Sequence, residues 1–388
     1  MSSQSNKGIF KTDKKIGVAV IGTGHRAFGV IWSLLRDSGG NVRIVSVYDP
    51  DPAEMDYACE KWNAAEAVRC RSSQEAITAP GVDWVMVFSP NAFHKQHILE
   101  GFSAKKDVFS EKPLATSIED CKTIYDAWKK SGHLFATGFV LRYADIYRKA
   151  KMILDSGKLG RILTIEANEN LFPGHGGYIM RNWRRHSNVA GPHILEKCCH
   201  DLDLINWYCQ SLPQRVFSFG GREFFKPENR YLEDKYGKEL FSAWRDPHQT
   251  ETAFTDDTDL MDNQVSIAEY RNHIRVSFTS TMSNAIPERR MYFHCSEGTM
   301  DINLRHMRLR YKNLGDEGMT ILAFSGDGHG GGDNFIMKEL YDTMKNGTLP
   351  KCSGNEGLES AVFALALDRA ARTGQVVDLD PVWQSLGR

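Results

Sequence analysis

The chain has 388 residues, long enough for two domains, and carries 48 basic against 49 acidic side chains for a formal net charge of −1. That balance argues against a nucleic-acid or anionic-membrane partner, and no apolar run approaches the roughly 20 residues needed to span a bilayer. Eight cysteines without a CxxC pair or a regular framework exclude a disulfide scaffold and read as reduced, buried thiols of a cytoplasmic protein.

Residues 1–13 are polar, lack the apolar stretch of a secretory signal, and read as a disordered tail. Ile16–Ile21 is apolar, β-branched and closed by glycine, the pattern of a buried parallel strand. A helix is expected over Ala27–Leu35, a strand over Val42–Tyr48 ended by Asp49-Pro50, and a helix over Pro52–Trp62. Trp84–Phe88 predicts another buried strand, His94–Ala104 a helix, Asp107–Ser110 a strand, Ile118–Ser131 an amphipathic helix and Phe135–Phe139 a last strand. This alternation predicts a doubly wound parallel sheet over 14–140.

From residue 141 to 388 the pattern changes. Ile162–Asn170 alternates as a strand with one wet face does. Further strands are expected over Val216–Gly220, Asp262–Tyr270, His273–Met282, Arg290–Cys295 and Met307–Tyr311, and helices over Asn334–Asn346 and Leu358–Thr373. This predicts an α/β domain with a large, mostly antiparallel open sheet. Residues 222–259 are charged, aromatic and weakly periodic, and read as an insertion acting as a lid or an oligomer contact.

Gly22-Thr23-Gly24-His25-Arg26-Ala27 matches G-x-G-x-x-A between a strand and a helix. Gly22 permits the tight turn, Gly24 lets backbone approach a pyrophosphate, and the helix N-terminus presents N–H groups to the anion. Asp49, ending the second strand, suits a ribose diol and repels a 2′-phosphate, which favours NAD over NADP; Asp51 adds charge of the same sign. Ser89, Asn91 and His94 follow the Trp84–Phe88 strand, where ligands of an open parallel sheet sit. Glu111-Lys112-Pro113 follows the next strand end.

These residues resemble the glucose–fructose oxidoreductase, inositol dehydrogenase and MocA family. Glu111-Lys112-Pro113 is similar to the family's lysine signature, Pro90-Asn91 with His94 to its preceding loop, and Glu196 to Asp203 to its D-x-G-x-H-x-x-D helix. The resemblance runs from Lys14 to Val377. It implies a Rossmann domain, a substrate domain whose open sheet mediates homodimers or homotetramers, and hydride transfer between NAD and a hydroxyl carbon of a sugar, inositol or sugar derivative, anionic ones included. His200 is then the acid/base, Lys112 polarises the oxygen, and Glu196, placed with His200 on one helix face, orients or tunes it. The cofactor side comprises Gly22, Thr23, Gly24, His25, Arg26, Asp49, Ser89, Asn91, His94, Glu111 and Lys112. The substrate side comprises Arg142, Tyr143, Tyr178, Trp183, Arg184, His200 and His329, with the arginines of 181–185 able to clamp an anion. Glu196 and Cys198 stand where the family has aspartate and glycine, which weakens transfer of regiochemistry. No metal site is expected. An NAD-dependent glycosidase, with Tyr143, Tyr178 or Glu196 as an added base, is the alternative.

Overall fold

The computed structural model describes residues 15–244 and 248–388; the tail expected over 1–13 lies outside them. Its first half is a six-stranded sheet in the order β3-β2-β1-β4-β5-β6, every pairing parallel. The strands are β1 (Ile16–Ile21), β2 (Val42–Tyr48), β3 (Val68–Arg69), β4 (Trp84–Val87), β5 (Asp107–Ser110) and β6 (Phe135–Thr137). Helices α1 (His25–Asp37), α2 (Pro52–Lys61), α3 (Ser73–Thr78), α4 (His94–Ser103) and α5 (Ile118–Ser131) connect them. Covered on both faces, β4 and all of β1 after Ile16 are buried, so Val18, Val20, Val85 and Val87 are inaccessible to solvent. Helix ends follow local chemistry: Ser117 caps α5 by accepting from the Asp120 N–H, and Gly132, left-handed at φ 70°, closes it.

After α6 (Asp145–Asp155), the second half builds a nine-stranded sheet in which only β7 (Ile162–Asn170) and β10 (Arg275–Thr281) pair in parallel. The other members are β8 (Pro213–Gly221), β9 (Asn263–Tyr270), β11 (Glu288–Cys295), β12 (Gly298–Asn303), β13 (Arg308–Asn313), β14 (Thr320–Ala323) and β15 (Val377–Asp378). One face packs on helices. The other is open and carries Phe219, Val265, Ile267 and Ile321, all exposed. The short helices α7 (Pro173–Arg181), α8 (Ser187–Ala190) and α9 (His193–Glu196) precede α10 (Cys199–Cys209). Helix α11 (Tyr231–Tyr236) lies in the insertion, and α12 (Gly332–Asn346), α13 (Gly354–Thr373) and α14 (Asp380–Ser385) complete the chain.

Two expectations need correction. Glu196 and His200 do not share a continuous helix: α9 ends at Glu196, α10 begins at Cys199, and Lys197-Cys198 interrupt them. No strand is expected between Arg290–Cys295 and Met307–Tyr311, yet β12 lies there; its run Met300-Asp301-Ile302-Asn303 is short, and its alternating polar residues are buried along with the apolar ones. The insertion is neither loose nor wholly polar. Phe225, Phe241, Phe254 and Leu260 form a second small core with Ile179 and Met180 of α7. Gly177 permits this approach, because a Cβ there would lie 1.9 Å from the Phe241 carbonyl oxygen.

The two halves are joined by more than the chain. The Thr137 N–H donates to the Cys352 carbonyl at 3.0 Å, and the Thr137 hydroxyl to that of Ser353 at 2.8 Å, so the start of α13 extends the edge at β6.

Candidate active site

The β1–α1 turn is shaped to receive a dinucleotide. Gly22 has φ +88°, and a Cβ there would meet the backbone of Phe88 and Ser89 at 2.8 Å. Gly24 is the N-cap of α1, offers no side-chain cap, and has nothing within 4 Å of where its Cβ would be. Open space therefore faces an uncapped helix N-terminus, which suits a pyrophosphate. Asp49 accepts from the Thr23 N–H at 2.9 Å and the Thr23 hydroxyl at 3.2 Å, tying the end of β2 to the glycine turn. Asp51 instead caps α2 through the Ala53 N–H.

Beyond this turn lies a cleft of about 450 Å³ between the two halves, lined by His25, Arg26, Ser89, Asn91, His94, Glu111 and Lys112 on one side. These residues brace one another. His94 joins the Ser89 carbonyl at 2.9 Å and the Pro113 carbonyl at 2.8 Å. The Asn91 amide donates to the Ala190 carbonyl at 2.7 Å. Arg26 donates to Glu111 at 2.6 Å and to Asp333 at 2.8 Å, so the first turn of α1 is bonded to the first turn of α12. Burial lowers the His94 pKa below that of a free histidine, with the two carbonyl partners acting against it.

The opposite wall centres on the break between α9 and α10. There the Glu196 carbonyl accepts the Lys112 Nζ at 2.6 Å, with the Glu196 carboxylate 3.9 Å from the same ammonium. The interruption thus presents a backbone acceptor that points a lysine of one half at a histidine helix of the other. Burial pushes the Glu196 carboxyl up, but Lys112, Arg184 and Lys197 outweigh it and hold it at about 2. His200 is 3% exposed and packs edge-to-face on Phe139 at 6.0 Å, with its Nδ1 buried and unpartnered. Burial first, then the Lys112, Arg289 and His329 charges, depress its pKa well below that of a free histidine. His329 lies 5.8 Å from the His200 ring and is hydrogen-bonded to Asp333, Nδ1 to Oδ2 being 2.6 Å. Burial also lowers the His329 pKa, against Asp333, while His329 and Arg26 keep Asp333 ionised.

The rim is aromatic. Trp244 of the insertion meets His175 edge-on at 4.7 Å and Tyr178 at 5.1 Å. Arg184 stacks over Trp183 at 4.2 Å and donates to Glu196 at 3.0 Å and to the Tyr178 hydroxyl at 3.0 Å. Among the described residues, no group of three or more His, Cys, Asp or Glu side chains could hold a metal ion. Burial raises the Cys198 thiol pKa and takes that of Cys199 to about 12, so neither offers a thiolate.

Residues 16–139 match the sequence profile of an oxidoreductase family with an NAD-binding Rossmann fold, and residues 147–301 match the GFO/IDH/MocA C-terminal domain. The chain belongs to the Gfo/Idh/MocA oxidoreductase family. It is 34% identical over 196 residues to the inositol 2-dehydrogenase of Gluconacetobacter diazotrophicus, covering 50% of this chain and 54% of that one. It is 29% identical over 209 residues to the 2,7-anhydro-N-acetylneuraminate hydratase of Escherichia coli (strain K12), covering 53% of each. The chain spans about half the length of these two curated relatives. A levoglucosan dehydrogenase solved with NADH and levoglucosan shares the fold, with a TM-score of 0.79 at 16% identity over 95% of this chain and 100% of that one. The family's cofactor is NAD, and the cradle at Gly22 and Gly24 has the shape and free N–H groups to hold it.

Within this Gfo/Idh/MocA chain the expected site residues fall into two groups. His25, Arg26, Ser89, Asn91, His94, Glu111, Lys112, Tyr178, Trp183, Arg184, Glu196, His200 and His329 line one cleft, while Thr23 and Asp49 build the turn beside it. Arg142 and Tyr143 do not line it. Arg142 makes a two-point ion pair with Asp203 at 2.7 and 2.8 Å, and Tyr143 is 6% exposed with its hydroxyl 3.3 Å from Glu339. Their short helical turn faces α10 and α12 rather than the cleft. Cleft residues that sequence reasoning passed over include His175, Lys197, Trp244, Arg289 and Arg305. They come from five separate segments; Lys197 lies inside the Glu196–Asp203 motif and His175 within the Gly174–Gly177 run, and the other three carry no motif.

Proposed function

We propose that this chain is an NAD-dependent dehydrogenase that interconverts a hydroxyl and a carbonyl on a sugar, inositol or sugar derivative. NAD supplies the hydride acceptor or donor. His200 takes the hydroxyl proton in oxidation and returns it in reduction, and Lys112 stabilises the charge developing on that oxygen. Glu196 is a positioning residue that holds Lys112 through its carbonyl and carboxylate. The observation that carries this reading is a neutral, buried histidine facing an anchored lysine in one cleft with an open helix N-terminus. The names of the inositol- and levoglucosan-oxidising relatives support a carbohydrate substrate.

One feature favours redox-neutral glycoside cleavage as a second reading. The His329–Asp333 pair places a second oriented imidazole beside His200. Oxidation of a hydroxyl acidifies the neighbouring C–H. His329 could then take that proton as the aglycone leaves, water would add, and the hydride would return to carbon. The test offers NAD-loaded enzyme a panel of sugars, inositols, sugar acids and aryl glycosides, following NADH absorbance and aglycone release together. NADH growth on a free sugar supports the dehydrogenase; aglycone release without net NADH supports cleavage; silence in both defeats the carbohydrate reading.

The homodimer or homotetramer expected from the family resemblance has a suitable surface in the open face of the nine-stranded sheet, where Phe219, Val265 and Ile267 are exposed. Light scattering of the purified protein checks it, and a monomer at micromolar concentration would remove it. No helix among the described residues is long and apolar enough to cross a membrane.

A further inference from the structure

The arginines expected to clamp an anion are all engaged within the protein. Arg181 donates to the Thr250 carbonyl at 2.9 Å, Arg184 to Glu196 and Tyr178, and Arg185 to Asp257 at 2.7 Å. Uncompensated positive charge lies elsewhere in the cleft. Three cations, Arg289, Lys197 and Arg305, are served by only two carboxylates, Glu169 and Asp201. Arg289 engages both, at 3.0 Å to Glu169 and 2.7 Å to Asp201. Lys197 shares Glu169 at a longer 3.5 Å. Arg305, exposed on the turn between β12 and β13, makes no ion pair among the described residues, yet its side chain lines the cleft.

The three cations act on one locus. Burial pushes the Glu169 carboxyl up, and Arg289, Lys197 and Arg305 together outweigh that and bring it below the ordinary range. His175, also lining the cleft, is held neutral by burial and then chiefly by Lys197, His193 and Arg305. Lys197, Arg305 and His175 line the same cleft, and Lys197 shares Glu169 with Arg289 there, so both cations face its space together with an imidazole able to give or take a hydrogen bond.

We propose that Lys197 and Arg305 form a carboxylate subsite, so that the substrate is a sugar acid whose reacting hydroxyl sits at Lys112 and His200 while its carboxylate is held at Arg305. Within this cluster one cation, Arg305, is left without a carboxylate, which matches one substrate carboxylate; a phosphate, at about −1.5 to −2, would be under-neutralised. The inference rests on the dehydrogenase reading for the reacting end and on the charge count for the other.

The test is calorimetric binding to the NADH-loaded enzyme of matched pairs in the gluco, galacto and manno series: hexose, hexuronate and hexose 6-phosphate. Wild type and Arg305→Gln are compared; Arg305 sits on an exposed turn, and its replacement leaves the packed core untouched. A uronate binding about tenfold or more tighter than its parent hexose is expected, with that preference falling to within about threefold in Arg305→Gln and weakening as salt rises. Equal binding of hexose and uronate, a preference for the phosphate, or a uronate preference that survives Arg305→Gln overturns the subsite and leaves the carbohydrate reading standing. Binding of NADH with no carbohydrate in any series removes the carbohydrate reading and the subsite with it.

Discussion

The two walls of the cleft are built on different principles. The wall around Gly22, Asp49, Ser89 and Lys112 is made of strand ends, turns and backbone groups, contributed in chain order by one parallel sheet. The facing wall is assembled from a helix break at Lys197-Cys198, an aromatic insertion, a hairpin turn at Arg305 and a loop at His329, separated by up to 132 residues (197 to 329). The first is a scaffold any dinucleotide oxidoreductase can use. On the proposed dehydrogenase reading, the second wall is the one that meets the substrate. Variants on each side should therefore fail in different ways.

The largest effect is expected where the walls touch. Lys112→Met removes the ammonium that Glu196 points at the site, and turnover should fall by about 10³-fold, equivalent to about 4 kcal/mol of transition-state stabilisation. NADH affinity, read by quenching of tryptophan fluorescence, should stay within about threefold because the α1 N-terminus is untouched. Turnover near wild type would remove Lys112 from the chemistry. A parallel loss of NADH binding would show that the near wall does not act independently of this contact.

This contrast explains what was legible in the sequence. The strand–glycine–helix unit is local: Ile16 to Ala27 contains the strand, the turn and the anion site within twelve residues, and Lys112 carries a short motif at a strand end. The far wall offered His200 through a longer motif, but the break that turns the Glu196 carbonyl toward Lys112 has no local signal; neither Lys197 nor Cys198 is a helix breaker. Arg305 carries no motif of its own, and Trp244 is one aromatic in a charged stretch. Their meaning comes from non-local pairing of β11, β12 and β13 and from the packing of Phe241 and Phe254 on α7. Arg142 shows the converse error: a cation after a strand end, beside a recognisable site, is committed to Asp203 on α10.

That error is itself testable, and it gives the next effect in size. Arg142→Gln should leave Asp203, 2% exposed, without its ion pair and reduce unfolding free energy by about 3 kcal/mol in urea titration. Substrate KM for the folded fraction should be unchanged. A raised KM with unchanged stability would return Arg142 to the substrate and move the boundary of the cleft.

A smaller effect should come from the insertion. Trp244 is 39% exposed and contacts His175 and Tyr178 at the rim, so Trp244→Ala should cost little stability and raise KM about tenfold, or about 1.4 kcal/mol, through the lost aromatic face. A fall in kcat with KM unchanged would assign the insertion to closure over the reacting centre rather than to recognition.

The smallest effect distinguishes the walls by their response to acid. His94 and His97 of the near wall are hydrogen-bonded, to the Ser89 and Pro113 carbonyls and to the Ser89 hydroxyl. His193 of the far wall is 4% exposed with both ring nitrogens buried and unpartnered, and burial takes its pKa down to about 4. A histidine whose folded pKa lies below its unfolded value contributes no pH dependence above about 6.5, where both states are neutral. As pH falls from there toward 4, the unfolded chain takes up the proton first and stability declines. Asp201 and Asp203, each raised to about 6 by burial, act in the opposite sense, gaining stability as they protonate, whereas His25, His94, His97, His175, His200 and His329, all lowered by burial, act in the same sense as His193. The informative quantity is the difference between wild type and His193→Leu. Removing this proton uptake should make stability fall less on acidification, by about 1 kcal/mol per pH unit between pH 6 and 5. Identical slopes would mean that His193 finds a partner in solution, and that the far wall is more hydrated around α9 than its packing implies.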